Sequence, residues 1–154
     1  MQGDLFGGNM LLWRGLFENR QGFREDLGKG AVGYCEDTEL SGRLRAMGQV
    51  VYFAPAAVQR HVIGPDRMGP AFIRRMAFEK GLSHGILMAA GTSLVRASSR
   101  AALDALRSSL RAVLARLRSD DHARMLAQMR ALYEIGRLFG YLRRSRQRLT
   151  RKAP

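Results

Sequence analysis

The stretch Glu36-Asp37-Thr38-Glu39-Leu40-Ser41-Gly42-Arg43-Leu44-Arg45-Ala46-Met47-Gly48-Gln49-Val50-Val51-Tyr52-Phe53 changes character partway along. Leu40, Leu44 and Met47 recur at helical spacing, Glu39 stands one turn before Arg43, and Gly48 is a natural C-terminal stop. These features predict a helix over 37–47. Residues 49–53 are largely β-branched and aromatic and end before Pro55, which predicts a strand. Residues 57–62, closed by Gly64-Pro65, form a second extended piece. A helix followed by two extended segments makes the expected class of this part of the chain mixed α/β.

Upstream, the apolar run Asn9-Met10-Leu11-Leu12-Trp13 follows Gly7-Gly8, the pattern of a buried strand leaving a tight turn. A brief helix over 14–19 comes next. Between 21 and 33, Gly22, Gly28, Gly30 and Gly33 alternate with Arg24, Glu25, Asp26 and Lys29, the composition of a mobile loop. That loop delivers the chain to Glu36-Asp37. Downstream of Pro70 the pattern is helical throughout. Phe72, Ile73, Met76 and Ala77 define one stripe, interrupted by Gly81 and Gly85. Leu103, Leu106, Leu110, Val113, Leu114 and Leu117 define a stronger one, with Ser99 as a candidate N-cap. Ser119-Asp120-Asp121 forms a turn and a fresh cap, and a last helix follows with Leu126, Met129, Leu132, Tyr133 and Phe139 inward. The expected organisation is an α/β unit over 1–66, a connecting helical segment over 67–97 and a basic amphipathic helical extension over 98–154.

With 154 residues and 46% hydrophobic content, the chain has enough apolar material for a core of ordinary domain size. The formal charge of +13 is uneven. Residues 98–154 hold 14 of the 26 Lys+Arg and 4 of the 13 Asp+Glu, so this segment alone carries +10. Such a tail attracts anionic lipid or nucleic acid whatever precedes it. The single cysteine, Cys35, excludes an intrachain disulfide framework and fits a reducing compartment. Met1-Gln2-Gly3-Asp4 lacks the basic start and apolar core of a signal peptide, and no run approaches the roughly eighteen apolar residues of a membrane span. The expected location is cytoplasmic, soluble or peripheral on the inner face of the membrane.

Adjacent carboxylates after a glycine-rich loop, at the mouth of a helix, suit general-base chemistry: the loop gives access and the helix holds the side chain still. Asp37 is the candidate base. Aspartate is also among the best helix N-caps, so the same residue reads as a cap for the helix it begins. From the residues alone His61 reads as a hydrogen-bonded histidine at a strand end, and the apolar strand context of Trp13 favours core packing over stacking on a ligand.

The order of features adds a family reading. Gly8-Asn9-Met10 with Arg14, then Gly22-Phe23-Arg24-Glu25-Asp26-Leu27-Gly28, then Glu36-Asp37-Thr38-Glu39-Leu40 with Arg43-Leu44-Arg45, then Gly48, Tyr52, Pro55 and Ala57-Val58 ending in His61, resembles the second half of family 2 glycosyltransferases of the GT-A fold. The resemblance covers roughly residues 6–80 and lies in order and spacing more than in any one motif. It implies inverting transfer of a sugar from a nucleotide-sugar donor to an acceptor hydroxyl, with Asp37 removing the acceptor proton. It further implies that Glu36 shapes the site, that Gly8, Asn9 and Trp13 bind the acceptor, and that His61 is placed as a metal ligand. A divalent Mg or Mn ion on the donor diphosphate belongs to the same implication. The chain departs from the family in containing no Asp-x-Asp motif and no nucleotide-binding half, so the expectation is an acceptor-side portion, inactive alone.

The arginine-backed stripes of 98–118 and 120–142 carry a competing expectation, a non-catalytic basic module that binds anionic membrane or nucleic acid through its C-terminal helices; a helical hairpin packed on the domain, with a solvated arginine face and a frayed terminus, fits the same pattern equally. Aromatics are not interleaved with the arginines and no known nucleic-acid module is present, which favours the membrane of the two. A membrane-apposed enzyme suits a lipid-linked acceptor; a polysaccharide is the other acceptor considered.

Overall fold

The computed structural model describes residues 5–18, 22–89, 94–117 and 120–150, with side-chain surroundings for all of these except 94–98 and 145–150. The chain divides into two compact units, Met1–Ile63 and Gly64–Pro154. The described residues form four α-helices: α1 (Glu36–Ala46), α2 (Pro70–Met88), α3 (Leu94–Leu117) and α4 (Asp121–Thr150), with short 3-10 turns at Arg14–Phe17 and Pro65–Arg67. Among the described residues there is no strand, so the expected α/β class, and with it the mixed sheet of a GT-A unit, is corrected to all-helical. The reason is visible in the segments concerned. Tyr52 is 84% and Val58 87% exposed, and Leu11 likewise faces solvent. β-propensity describes fit on a pleated, half-buried surface, and these segments have no neighbouring strand to lie against.

The first unit is organised by α1. Glu36, Asp37 and Glu39 lie in its first turn and Arg43 and Arg45 in its last, the distribution that opposes the helix dipole. Its end is a Schellman closure: Gln49 N–H donates to Leu44 O and Gly48 N–H to Arg45 O, both at 2.9 Å, with Gly48 at φ +75°. A side chain at that φ would clash with its own backbone, which is why the stop is glycine. Leu40, Ser41 and Leu44 are buried on α1, and Leu27 and Val32 are buried in the loop before it. Ser41 Oγ accepts from Leu5 N–H at 2.8 Å and donates to Asp37 O at 2.8 Å, tying the N-terminal segment to the helix. Arg43 reaches the other side, donating to Gly22 O at 2.6 Å while paired with Glu39.

The second unit is built around α4, which packs along both α2 and α3. Against α2 the contact is glycine on glycine. A Cβ on Gly81 would overlap the Tyr133 carbonyl, one on Gly85 the Arg137 carbonyl, one on Gly136 the Phe78 carbonyl and one on Gly140 the Leu82 carbonyl. The pairing advances in the same direction along both helices, so α2 and α4 run parallel. Gly81 and Gly85, expected to interrupt the α2 stripe, are instead the centre of its contact surface, because two backbones approach this closely only where neither carries a side chain. The seam also holds Phe78 edge-on to Phe139 and a hydrogen bond between His84 and Tyr133 Oη.

Against α3 the contact is also made by small residues. Among the described residues of α3 the buried positions are Ala101, Ser108 and Ala115, seven apart; Ala127 and Ala131 are buried on α4, and Ala101 packs with Ala89 against the larger Tyr141, with Leu138 beside it. Arg137 joins the two helices, its Nη2 lying 2.7 Å from Glu134 Oε2 and 3.5 Å from Asp104 Oδ2. Burial pushes the Glu134 carboxyl above its ordinary value, and the Arg137 charge opposes that. Asp120 caps α4, accepting from Ala123 N–H at 2.8 Å. Ser99 lies inside α3 rather than at its cap. The leucine stripe of α3 faces solvent, and Leu126 and Phe139 of α4, expected inward, are exposed.

Candidate functional site

The start of α1 carries Glu36 and Asp37, and the N-terminal segment is drawn across it. Gly7 N–H donates to Asp37 Oδ2 at 3.0 Å, and Thr38 N–H donates to Oδ1 at 2.7 Å. Asp37 is therefore in the first turn and not the N-cap, a position held by Cys35 in the left-handed conformation. It still satisfies one of the unpaired N–H groups at the helix start, from within the turn. Beside this junction is an open cleft of about 450 Å³ lined by Gly7, Met10, Leu12, Phe17, Phe23 and Glu36. Its wall is apolar and aromatic with a single carboxylate, the composition of a site that orients a small molecule by one polar contact.

Of the residues expected to form the site, Glu36 lines the cleft. Asp37 adjoins it through Gly7, with both carboxylate oxygens engaged by backbone donors and acceptor capacity remaining. Asn9 holds the far side of the loop, its Nδ2 donating to Ala57 O at 2.6 Å. Gly8 lies against the Phe6 ring and Trp13 over Gly15. Trp13 is 76% exposed and is not among the cleft residues. His61 is exposed, and among the described residues no three His, Cys, Asp or Glu side chains converge where a metal ion would be held. Among the described residues none joins His61 in a ligand set for the implied Mg or Mn ion, and no chemical step is routed through it.

Met10, Leu12, Phe17 and Phe23 complete the cleft without a motif that marks them as site residues. Phe23 carries a weak signal, standing beside Gly22 in the glycine-rich loop. Arg43 anchors Gly22 from α1, so a helix residue about two turns past the Glu36-Asp37 pair positions the loop that bears Phe23. Phe17 closes the 3-10 turn Arg14–Phe17, where an isolated aromatic gives no periodic signal. No family model, curated protein or solved structure matches this chain.

Proposed function

We propose that the first unit is the acceptor-side portion of an inverting, family 2-like glycosyltransferase, binding a hydroxyl acceptor in the cleft at the start of α1. The observation that carries this reading is the placement of Glu36 in an aromatic cleft with Asp37 one residue behind it, on a rigid helix turn. The flat faces of Phe17 and Phe23 offer apolar surface to a sugar ring, and Glu36 accepts from its hydroxyls. In the transfer step the acceptor oxygen bonds to the anomeric carbon of a nucleotide-sugar, its proton passes to the Asp37 carboxylate, and the nucleoside diphosphate leaves with the bonding electron pair. The hydroxyl becomes strongly acidic only as that bond forms, so a carboxylate within hydrogen-bond reach is a sufficient base. Donor recognition lies outside the residues of this cleft, and the chain by itself is expected to bind acceptor without turning over.

The test is an NMR titration of the chain with a panel of mono- and disaccharides. Shifts of the Gly7 amide and the Phe17 and Phe23 rings that vanish in Glu36→Gln, with α1 amides unmoved, are the expected result. No response of these groups to any saccharide overturns the proposal. Where a donor-binding partner restores transfer, Asp37→Asn distinguishes the base: unchanged turnover removes Asp37 from that role.

A further inference from the structure

We infer that α3 is a membrane-surface helix, which docks the second unit on an anionic phospholipid bilayer. This does not rest on the reading of the cleft and concerns other residues. The buried line of α3 is Ala101, Ser108 and Ala115. At about 100° per residue, Leu103, Leu106, Leu110, Val113, Leu114 and Leu117 gather on the opposite side of the helix. All six are exposed, Leu106 at 68% and Leu117 at 77%. A helix in a water-soluble bundle ordinarily turns such a stripe to the core and its small residues outward. Here the small residues are needed where α4 packs, and the stripe is left uncovered.

The charges decide what covers it. Residues 64–154 hold 19 Lys+Arg against 6 Asp+Glu, a net +13, whereas residues 1–63 hold 7 of each and are neutral. On α3, Arg100, Arg107 and Arg111 run along one edge of the stripe and are exposed. That edge continues into a groove of about 340 Å³ between α3 and α4, lined by Arg111 and Arg130 together with Leu114, Leu126 and Asp120. Leu114 belongs to both stripe and groove. An apolar stripe with cations at its border matches the boundary between acyl chains and anionic headgroups, leucines below and guanidinium groups at phosphate level. A second copy of the unit is disfavoured as occupant, because it would set two faces of like charge against each other. Among the described residues no helix is long and apolar enough to cross a membrane, so docking is in the plane of the surface.

The test is co-sedimentation of the full chain with phosphatidylcholine vesicles containing about one-third phosphatidylglycerol, against phosphatidylcholine alone. The expected result is binding to the anionic vesicles that weakens with salt. The double variant Leu106→Ser/Leu110→Ser, which leaves the charge unchanged, should bind roughly a hundredfold more weakly with unchanged circular dichroism, since neither side chain is in the core. Arg111→Gln/Arg130→Gln should weaken it roughly thirtyfold, at about one kilocalorie per mole per cation at the surface. Absence of sedimentation with anionic vesicles at low salt overturns the inference. So does undiminished binding of the leucine variant, which would reduce the effect to charge alone. A parent chain that is dimeric by light scattering and monomeric in the leucine variant assigns the face to a second copy and overturns it equally.

Discussion

Substituting Gly81 by alanine tests whether the α2–α4 seam depends on backbone contact. The added Cβ would overlap the Tyr133 carbonyl oxygen and lie 2.8 Å from its carbon and 3.0 Å from Arg137 N. Comfortable separation for such atoms is about 3.5–4.0 Å, so the helices must part by roughly 1 Å locally. A gap of that size removes about a quarter to a half of the attraction between the atoms it separates, and overpacking of this kind costs about 1–3 kcal/mol, occasionally more. Alanine returns up to about 1 kcal/mol through its better helix propensity. The net expectation is a loss of about 2 kcal/mol, which in a unit of this size lowers the melting temperature by roughly 10 °C. Gly42 is the control. It lies inside α1, and a Cβ added there would meet nothing within 4 Å, so Gly42→Ala should stabilise its helix by about 0.5–1 kcal/mol. Thermal unfolding by circular dichroism, with hydrogen exchange to assign the change to α2 and α4, reads both. If Gly81→Ala raises the melting temperature as Gly42→Ala does, the close seam is refuted.

His84 makes the same seam sensitive to acid. Burial first and the Arg137 charge second hold its pKa below the ordinary value, so the stabilisation it contributes is present above pH about 6.5 and is lost as pH falls through the folded-state pKa. Melting temperatures between pH 7 and 5 should therefore fall more steeply for the parent than for His84→Gln; Glu134, whose raised pKa acts in the opposite sense, is common to both, and parallel curves would dismiss His84. In the first unit, Ser41→Ala removes the acceptor of Leu5 N–H and should cost about 1–2 kcal/mol while releasing the segment that bears Gly7, seen as faster exchange of the Leu5 and Gly7 amides. Unchanged exchange there would show that Ser41 does not anchor the loop.

Local chemistry in this chain is legible where a few neighbouring residues decide the outcome. The α1 helix can be read from Leu40, Leu44 and Gly48, and Asp120 from its position before a helical stripe, because caps and stops act within a turn or two. The extended segments at 9–13, 49–53 and 57–62 read as strands because their side chains suit one. Whether such a segment becomes a strand depends on a pairing partner that propensity does not encode, and here it stays irregular and mostly exposed, with Met10, Leu12 and Val51 half-buried. The glycines of α2 read as interruptions for a related reason. Spacing places Gly81 and Gly85 on one face, but their value lies in Gly136 and Gly140, more than fifty residues away. The cleft is half legible: Glu36 comes from its motif, whereas Phe17, Met10 and Leu12 join it only through the course of the loop that Ser41, Asp37 and Asn9 hold in place.

The glycine and alanine seams have a consequence for the medium in which the second unit holds together. Backbone contact at the glycines draws on dispersion and on weak Cα–H···O attraction, neither of which requires water to be expelled from a large apolar surface, and among the described residues of this unit the only large apolar side chains that are buried are Ile86 and Tyr141. A bundle joined this way should show a small heat-capacity change and a shallow denaturant slope on unfolding for its length. Its cohesion should also be nearly indifferent to whether water or hydrocarbon bathes the outer face of α3. A conventional leucine core would tend to open toward hydrocarbon, whereas these seams have little to gain by doing so.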